Sequence, residues 1–492
     1  MSDVERYDGV WWFPEKPNER YSGSLTFDSF NGGVLELRPA RAPARKATGQ
    51  ESYDVIHGQI GTGQDVTVAG CLDMGQVHAF RSTRPVEDDI VSWRIHADLL
   101  FLGFLLPSYA GDHITNLTTS FRHLYRWMAL SGATLDHGER FQDIDLRYRE
   151  PEPIRLSLSD EFDLALGVRL ASIPGGMGWD GDTAINEEAL VSIQSRTPRP
   201  YEFFHRIVRD LQDFFSVASL RFSPPVHIRV TGSFDPDVRD DGSSFLPYAD
   251  VRVQSFHQEP EAGPPHPVDF LFRLPDIRDE LQAALKAWFT KRDKLHHVRS
   301  LYLTARYTPQ VFVDSQFLTT ICAVEAYHRR FFEGQYLPHA WFELEVQSAL
   351  AAQLPTSVPV EYQAQCSSND LKVFRDSAAR SLRWLNEYSL RKRLKVLFRE
   401  FEDVLRAFLP DGKTAIEEIV DARNYLTHWT EQATDVTERP ERLAVLTDLL
   451  HLVLEVGFLR EMGISQERMR GLVGRVQVYR RKLGPQVWGR TD

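Results

Sequence analysis

Six consecutive residues near the end of the chain, Arg423-Asn-Tyr-Leu-Thr-His428, bring together a guanidinium, a carboxamide and an imidazole. If the stretch is helical, Asn424 and His428 are four apart and share a face, and Arg423 reaches the same spot with its long side chain. A planar guanidinium stays charged and grips phosphate through paired hydrogen bonds. An imidazole titrates near neutrality and can accept or give a proton. The chemistry implied is the handling of a polynucleotide backbone. Arg-to-His spacing alone is not decisive, since Arg199 with His205 and Arg292-Asp-Lys-Leu-His-His297 offer rival pairs.

The elements that position these groups can be read outward from them. Thr414 and Glu417 have the spacing of a capping box that starts a helix over Thr414–Glu431. Ile416, Ile419, Val420, Leu426 and Trp429 form its apolar stripe, and Arg423 falls on or beside it, where a charge needs a partner or a cleft. Further helices are expected over Asp276–Tyr307, Asp314–Glu333, His339–Ala352, Asp370–Leu385, Ser389–Phe408 and Pro440–Met462, before a last basic segment. The first ~270 residues read as short strands between turn residues, among them Gly23–Asp28 and Val34–Leu37 around a Ser29–Gly33 hairpin turn. Others are Asp65–Gly70, Asp89–Ala97, Ile144–Tyr148, Ile154–Leu158, Phe162–Leu170, Ala189–Gln194 and Val226–Thr231. One amphipathic helix, Tyr201–Leu220, interrupts them. Gln258–Pro267 carries four prolines and reads as a linker. The expected fold class is α+β multidomain, with a β-rich domain over 1–270 and an all-α helical bundle over 271–492.

At 492 residues, with 42% hydrophobic and 26% charged, the chain is long enough for two globular cores. Cys71, Cys322 and Cys366 lie far apart, which fits a reducing cytosol and excludes a disulfide framework or thiolate metal cluster. The amino terminus has no signal-peptide pattern, and the apolar run Leu443–Leu459 contains Asp448, His451 and Glu455, as in a buried helix rather than a membrane span. A net charge of −12 argues against a general nucleic-acid coat. Two basic clusters could still meet RNA: Arg391, Lys392 and Arg393, and Arg480, Arg481 and Lys482. Gly58–Gly63 lacks the Lys-Ser/Thr of a phosphate loop and reads as a turn, and Asp235–Gly242 lacks the glycine and glutamate of a calcium loop. Trp11, Trp12, Trp93 and Trp179 read as core, as does His451.

With these residues in view, the helical half resembles HEPN domains, whose signature is Arg, then Asn or Asp, then His after three more residues, on a late helix. Phe317–Arg329, with Glu325 before the His328-Arg329 pair, looks like the early helix of the ApeA-like branch, and Ser389–Leu394 looks like its basic middle helix. Gly9-Val-Trp-Trp-Phe-Pro14, Gly23–Phe27 and Gly33–Leu37 resemble the ApeA amino-terminal domain. The resemblance implies a metal-independent endoribonuclease without cofactor, acting in cytoplasmic antiphage defence. Arg423 would hold the phosphate, Asn424 orient it or the histidine, and His428 take the proton of a 2′-hydroxyl. Glu325 would pair with Arg423 or position His428, or simply serve Arg329; His328 and Arg329 are expected at the surface. The resemblance further implies a homodimer, an RNA substrate such as tRNA, and a phage-derived trigger sensed by the β-rich half. The competing reading is a non-catalytic HEPN module that binds a partner protein or ligand.

Overall fold

Six antiparallel strands close on themselves at the start of the chain. β1 (Glu5–Trp12), β2 (Tyr21–Asp28) and β3 (Gly32–Arg38) form one meander, and β4 (Ser52–Ile60), β5 (Gln64–His78) and β6 (Ile90–Leu102) a second. β1 pairs with β4 and β3 with β6, which completes the ring. Closure removes the open edges that would otherwise need cover. Inward-facing Trp11, Leu25, Leu35, Ile56, Val68 and Ile95 fill the barrel. Gly58 is what lets Trp11 lie flat there: a Cβ at Gly58 would stand 2.3 Å from the Trp11 ring. The Gly58–Gly63 stretch is therefore a strand end and hairpin turn, with Gly63 in left-handed geometry (φ +82°) and its N–H on the Ile60 carbonyl.

The computed structural model describes residues 4–38, 52–61, 63–78, 90–137, 144–172, 185–233, 237–238, 244–245, 247–254, 263, 265–308, 312–409, 411–428 and 439–484. Trp179, Trp429, Thr430, Glu431 and most of the Asp235–Gly242 and Gln258–Pro267 stretches fall outside them.

β6 outlasts the barrel. At Leu99–Leu102 it also pairs with the strand Tyr248–Val253, from which an open antiparallel sheet runs on. In chain order that sheet contains β7 (Ile114–Phe121), β10 (Ile154–Ser157), β11 (Phe162–Ser172), β12 (Asn186–Arg199), β13 (Pro225–Gly232) and β16 (Tyr248–Val253). Two small ribbons, β8 (Ala133–His137) with β9 (Ile144–Tyr148) and β14 (Asp237–Val238) with β15 (Ser244–Phe245), stand apart from it. A short helix α1 (Leu124–Met128) follows β7, and the long α2 (Tyr201–Ser219) starts after Pro200, whose fixed φ suits a helix start. Phe204, Ile207, Leu211 and Phe214 of α2 are buried, and α2 packs on β7 and β12. α3 (Leu274–Ile277) and α4 (Leu281–Thr290) join this layer: Phe272 meets Phe214, and Trp288 donates Nε1–H to the Asp210 carbonyl at 2.9 Å. The chain accordingly divides into compact units at Phe289/Thr290, about twenty residues past the proline-rich stretch.

The second unit is helical: α5 (Arg292–Tyr307), α6 (Val313–Phe331), α7 (His339–Trp341), α8 (Gln347–Ala352), α9 (Ser368–Leu382), α10 (Leu390–Glu400), α11 (Glu402–Leu405), α12 (Gly412–His428), α13 (Pro440–Glu461), α14 (Gln466–Arg475) and α15 (Gln477–Leu483). α13 is buried on nearly every side, and α5, α6, α12, α14 and α15 pack on it. Among the described residues no helix is long and apolar enough to cross a membrane. The polar groups of α13 are spent internally. Glu455 accepts from Tyr302 Oη at 2.6 Å and faces Arg306 at 3.5 Å, and His451 Nε2 meets Thr320 Oγ1 at 3.1 Å. His451 is a core histidine, as expected.

Several expected helices break. Asp276–Tyr307 falls across three helices; at the second break Lys291 leaves helical geometry, and its ammonium sits on the Glu461 carboxylate and carbonyl, both at 2.8 Å. Ser389–Phe408 is two, because Phe401 turns inward at φ −104°. Thr414 does not open α12: Asp411 does, accepting from the Lys413 and Thr414 amides. The aspartate lies nearer the free amides of the first turn, and its charge suits the positive helix end.

Candidate active site

α12 carries the site. Ala415, Ile416, Ile419, Val420 and Ala422 are buried and turn the helix into the bundle against α6, α10 and α13. Arg442 on α13 clamps Glu418 at 2.6 Å, and Arg391 on α10 lies near Glu417 and Asp421 at 3.7 and 3.9 Å. These contacts fix the rotation of α12 about its axis, and that rotation places the last turn outward. Arg423 is half-buried, whereas Asn424 and His428 are exposed. Arg423 donates from Nη1 to Asn424 Oδ1 at 3.2 Å, so two of the three groups are in direct contact. Thr427 returns its hydroxyl to the Arg423 carbonyl at 2.8 Å, which ties down the same turn. His428, one turn beyond Asn424, is the last residue of α12. The carboxamide steadies the guanidinium on one side.

α6 packs beside α12. Cys322 and Glu325 are one turn apart on α6, and the charges of both Glu325 and Arg423 act on the Cys322 thiol. Burial raises that thiol, Glu325 raises it further, and Arg423 pulls it down. Glu325 is half-exposed, and its charge also reaches Arg393 on α10. The carboxylate thus lies within electrostatic reach of Arg393, and it shares the Cys322 thiol with Arg423.

Two expectations are corrected between α6 and α10. His328 is not at the surface; it is fully buried. Burial, then the Arg393 and Arg329 charges, hold it down to about 4, so it is neutral at pH 7 and accepts at Nδ1 from Arg393 Nη1 at 3.1 Å. Arg393 is buried as well, at 2% exposure, and cannot serve as an RNA contact. Its Nε donates to the Tyr388 carbonyl at 2.9 Å and its Nη2 to Glu387 at 3.1 Å, and Glu387 also binds Arg329. A signal for this was available. Leu390, Arg393, Leu394, Leu397 and Phe398 lie on one helical stripe, so the arginine falls on the apolar face. Sequence reasoning missed the whole His328–Arg393–Glu387–Arg329 cluster, because Glu387 arrives from a turn that no periodicity marks.

The other basic candidates stay outside. Lys392 is exposed over the Tyr388 ring, and Arg391 is half-exposed. On α15, Arg480 donates to the Gly474 carbonyl at 2.7 Å, Lys482 pairs with Asp448 at 2.9 Å, and Arg481 is exposed. The rival pattern at Arg292 sits on the first turns of α5, with His296 and His297 exposed. Among the described residues no group of three or more His, Cys, Asp or Glu side chains could hold a metal ion.

Residues 6–288 match the family model of the ApeA N-terminal domain 1, which is more than half of the chain, and residues 318–468 match the Apea-like HEPN model. The chain belongs to the ApeA family. Its HEPN match runs from α6 to α14 and so contains Glu325, the α10 cluster and the Arg423–His428 turn, whereas the Arg292 pattern lies outside it. No curated protein and no solved structure matches this ApeA-family chain.

Proposed function

We propose that this chain is an endoribonuclease of the HEPN class, acting inside bacteria as an abortive-infection defence against phage. The observation that supports the reading most is the Arg423–Asn424 contact on the exposed last turn of α12, one turn from His428. In this reading His428 takes the proton from an RNA 2′-hydroxyl. The 2′-oxygen forms a bond to the adjacent phosphorus, the bond to the 5′-oxygen breaks, and that oxygen takes a proton from water. The products are a 2′,3′-cyclic phosphate and a 5′-hydroxyl. Arg423 neutralises the charge that builds on the phosphate, Asn424 holds the guanidinium in register, and Glu325 tunes the same cleft from α6. The chemistry runs on side chains alone, with no metal or other cofactor.

The proposed substrate is structured RNA such as tRNA, whose single-stranded loops leave the 2′-hydroxyl free to align. Two copies of the chain pair, so that two such turns serve one cleft. The β-rich unit restrains the helical unit until a phage-derived trigger reaches it, since an unregulated nuclease would damage its own cell. The test is to map RNA ends in cells expressing wild type or His428→Ala, with and without phage. Cyclic-phosphate ends that vanish in His428→Ala are expected. Ends that persist in the variant would refute the assigned base, and no cuts under any condition would leave a binding module instead.

A further inference from the structure

Between α6 and α10 the helical unit carries an arm, residues 339–385, that has almost no interior. Of the side chains on α7, α8, α9 and their joining turns, only Phe342 is buried. The arm is nonetheless firmly rooted. Leu337 N–H donates to Asn386 Oδ1 at 2.8 Å, Asn386 Nδ2 donates to the Leu337 carbonyl at 2.9 Å, and Tyr388 N–H donates to the Gly334 carbonyl at 2.7 Å. The Tyr336 and Tyr388 rings close the neck edge to face, 4.8 Å apart.

What the arm shows outside is apolar. Nine large apolar side chains on it are exposed, Trp341, Leu344, Tyr362, Phe374, Trp384 and Leu385 among them, and no other stretch of that length among the described residues has more than three. A side chain of this class covers roughly 150–250 Å² when aromatic. Nine of them about half exposed leave on the order of 800 Å², the share one partner brings to a standard interface. Patches of this size mark association sites.

Charge indicates the occupant. The first limb, residues 339–352, bears Glu343 and Glu345 and no Lys or Arg, whereas the second, residues 368–385, bears Lys372, Arg375, Arg380 and Arg383 against Asp370 and Asp376. One limb is acidic and the other basic, with apolar groups on both. A polyanion would face a nearly neutral surface. A second arm turned by a two-fold axis would set acid against base twice and cover apolar with apolar, as a self-complementary contact requires.

We propose that the arm is the docking surface for a second copy of this chain, acidic limb on basic limb in both directions. The inference deepens the paired-chain reading above and rests on it. The neck then links docking to the site. Arg393 bonds the Tyr388 carbonyl and Glu387 at the neck and His328 on α6, three residues from Glu325.

The test is the mass of the full-length chain by light scattering and sedimentation, with folding checked by circular dichroism. Wild type is expected as a dimer, whereas Glu343→Arg with Glu345→Arg, and Arg380→Glu with Arg383→Glu, are each expected as monomers. An equal mixture of the two double variants should recover the dimer, because each supplies the charge the other lacks. A monomeric wild type, a reversal that leaves the dimer intact, or a mixture that stays monomeric overturns the proposal. Leu344→Ser removes an apolar group from a residue that is 77% exposed. It should raise the dimer dissociation constant at least tenfold, and an unchanged constant also overturns the proposal. Mass is read independently of cleavage. A dimer that obeys the charge swap but cuts no RNA would sink the nuclease and leave the docking surface standing.

Discussion

Arg393→Ala should cost the helical unit about 3 kcal/mol of stability while leaving no mark specific to RNA. The guanidinium is buried and makes three hydrogen bonds of 2.9–3.1 Å, to the Tyr388 carbonyl, to His328 Nδ1 and to Glu387. Truncation strands the first two acceptors away from water, at roughly 1–3 kcal/mol each. Two effects reduce the total. Glu387 keeps its pair with Arg329, and removing Arg393 relieves the repulsion between the two arginines, whose charges oppose each other. The remainder, about 3 kcal/mol, corresponds to a urea midpoint lowered by about 1 M for a slope near 3 kcal/mol/M. Urea denaturation of the full chain, followed by far-ultraviolet circular dichroism, measures it. Arg393→Lys should recover part of the loss, since an ammonium can replace one or two of the three bonds but not the fork. The alternative is that Arg393 swings out to hold RNA. In that case Arg393→Ala would shift the midpoint by less than a third of the expected amount and weaken RNA binding at low salt. That result would refute the burial argument.

Other perturbations test separate parts of the structure. His328 is held at about 4 when folded, against 6.5 unperturbed, so the unfolded chain binds the extra proton between those values and stability is lost as pH falls from about 6.5 to about 4; His328→Gln should flatten that slope, and an unchanged slope would place the histidine in water. Glu455 works the other way: burial raises it to about 7, against the pull of Arg306 and Tyr302, so the folded chain holds the extra proton and stability declines as pH rises from about 4.5 to about 7. Glu455→Gln should remove that decline, as followed by melting temperature across the same range. Gly58→Ala should destabilise the barrel by about 1–3 kcal/mol through overpacking against Trp11, and a neutral result in thermal melts would show that the ring can move aside. Lys392→Glu and Arg481→Glu should leave the melting temperature alone but lower RNA affinity, with the log–log salt slope smaller by about 1 for each phosphate no longer neutralised, as titrations at several salt concentrations would reveal.

What the sequence determined by itself were the local features, those fixed by neighbours along the chain. The strand from Phe162 and the helix from Tyr201 were legible because period-2 and period-3.6 patterns report which face each element buries. So were the change from strands to helices and the Arg423–His428 spacing, since Asn424 and His428 need only one helix to share a face. Only the tertiary structure decided matters that depend on distant residues. That the first six strands close into a barrel depends on β1 meeting β4 and β3 meeting β6, and no local pattern encodes such pairings. The same physics separates the arginines. Arg393, Arg391 and Arg423 carry the same group, yet Glu387 and His328 draw the first inside, acids on α12 engage the second, and the packing of α12 on α6, α10 and α13 turns the third toward solvent. A charge goes where partners can offset its lost hydration, and those partners come from other helices.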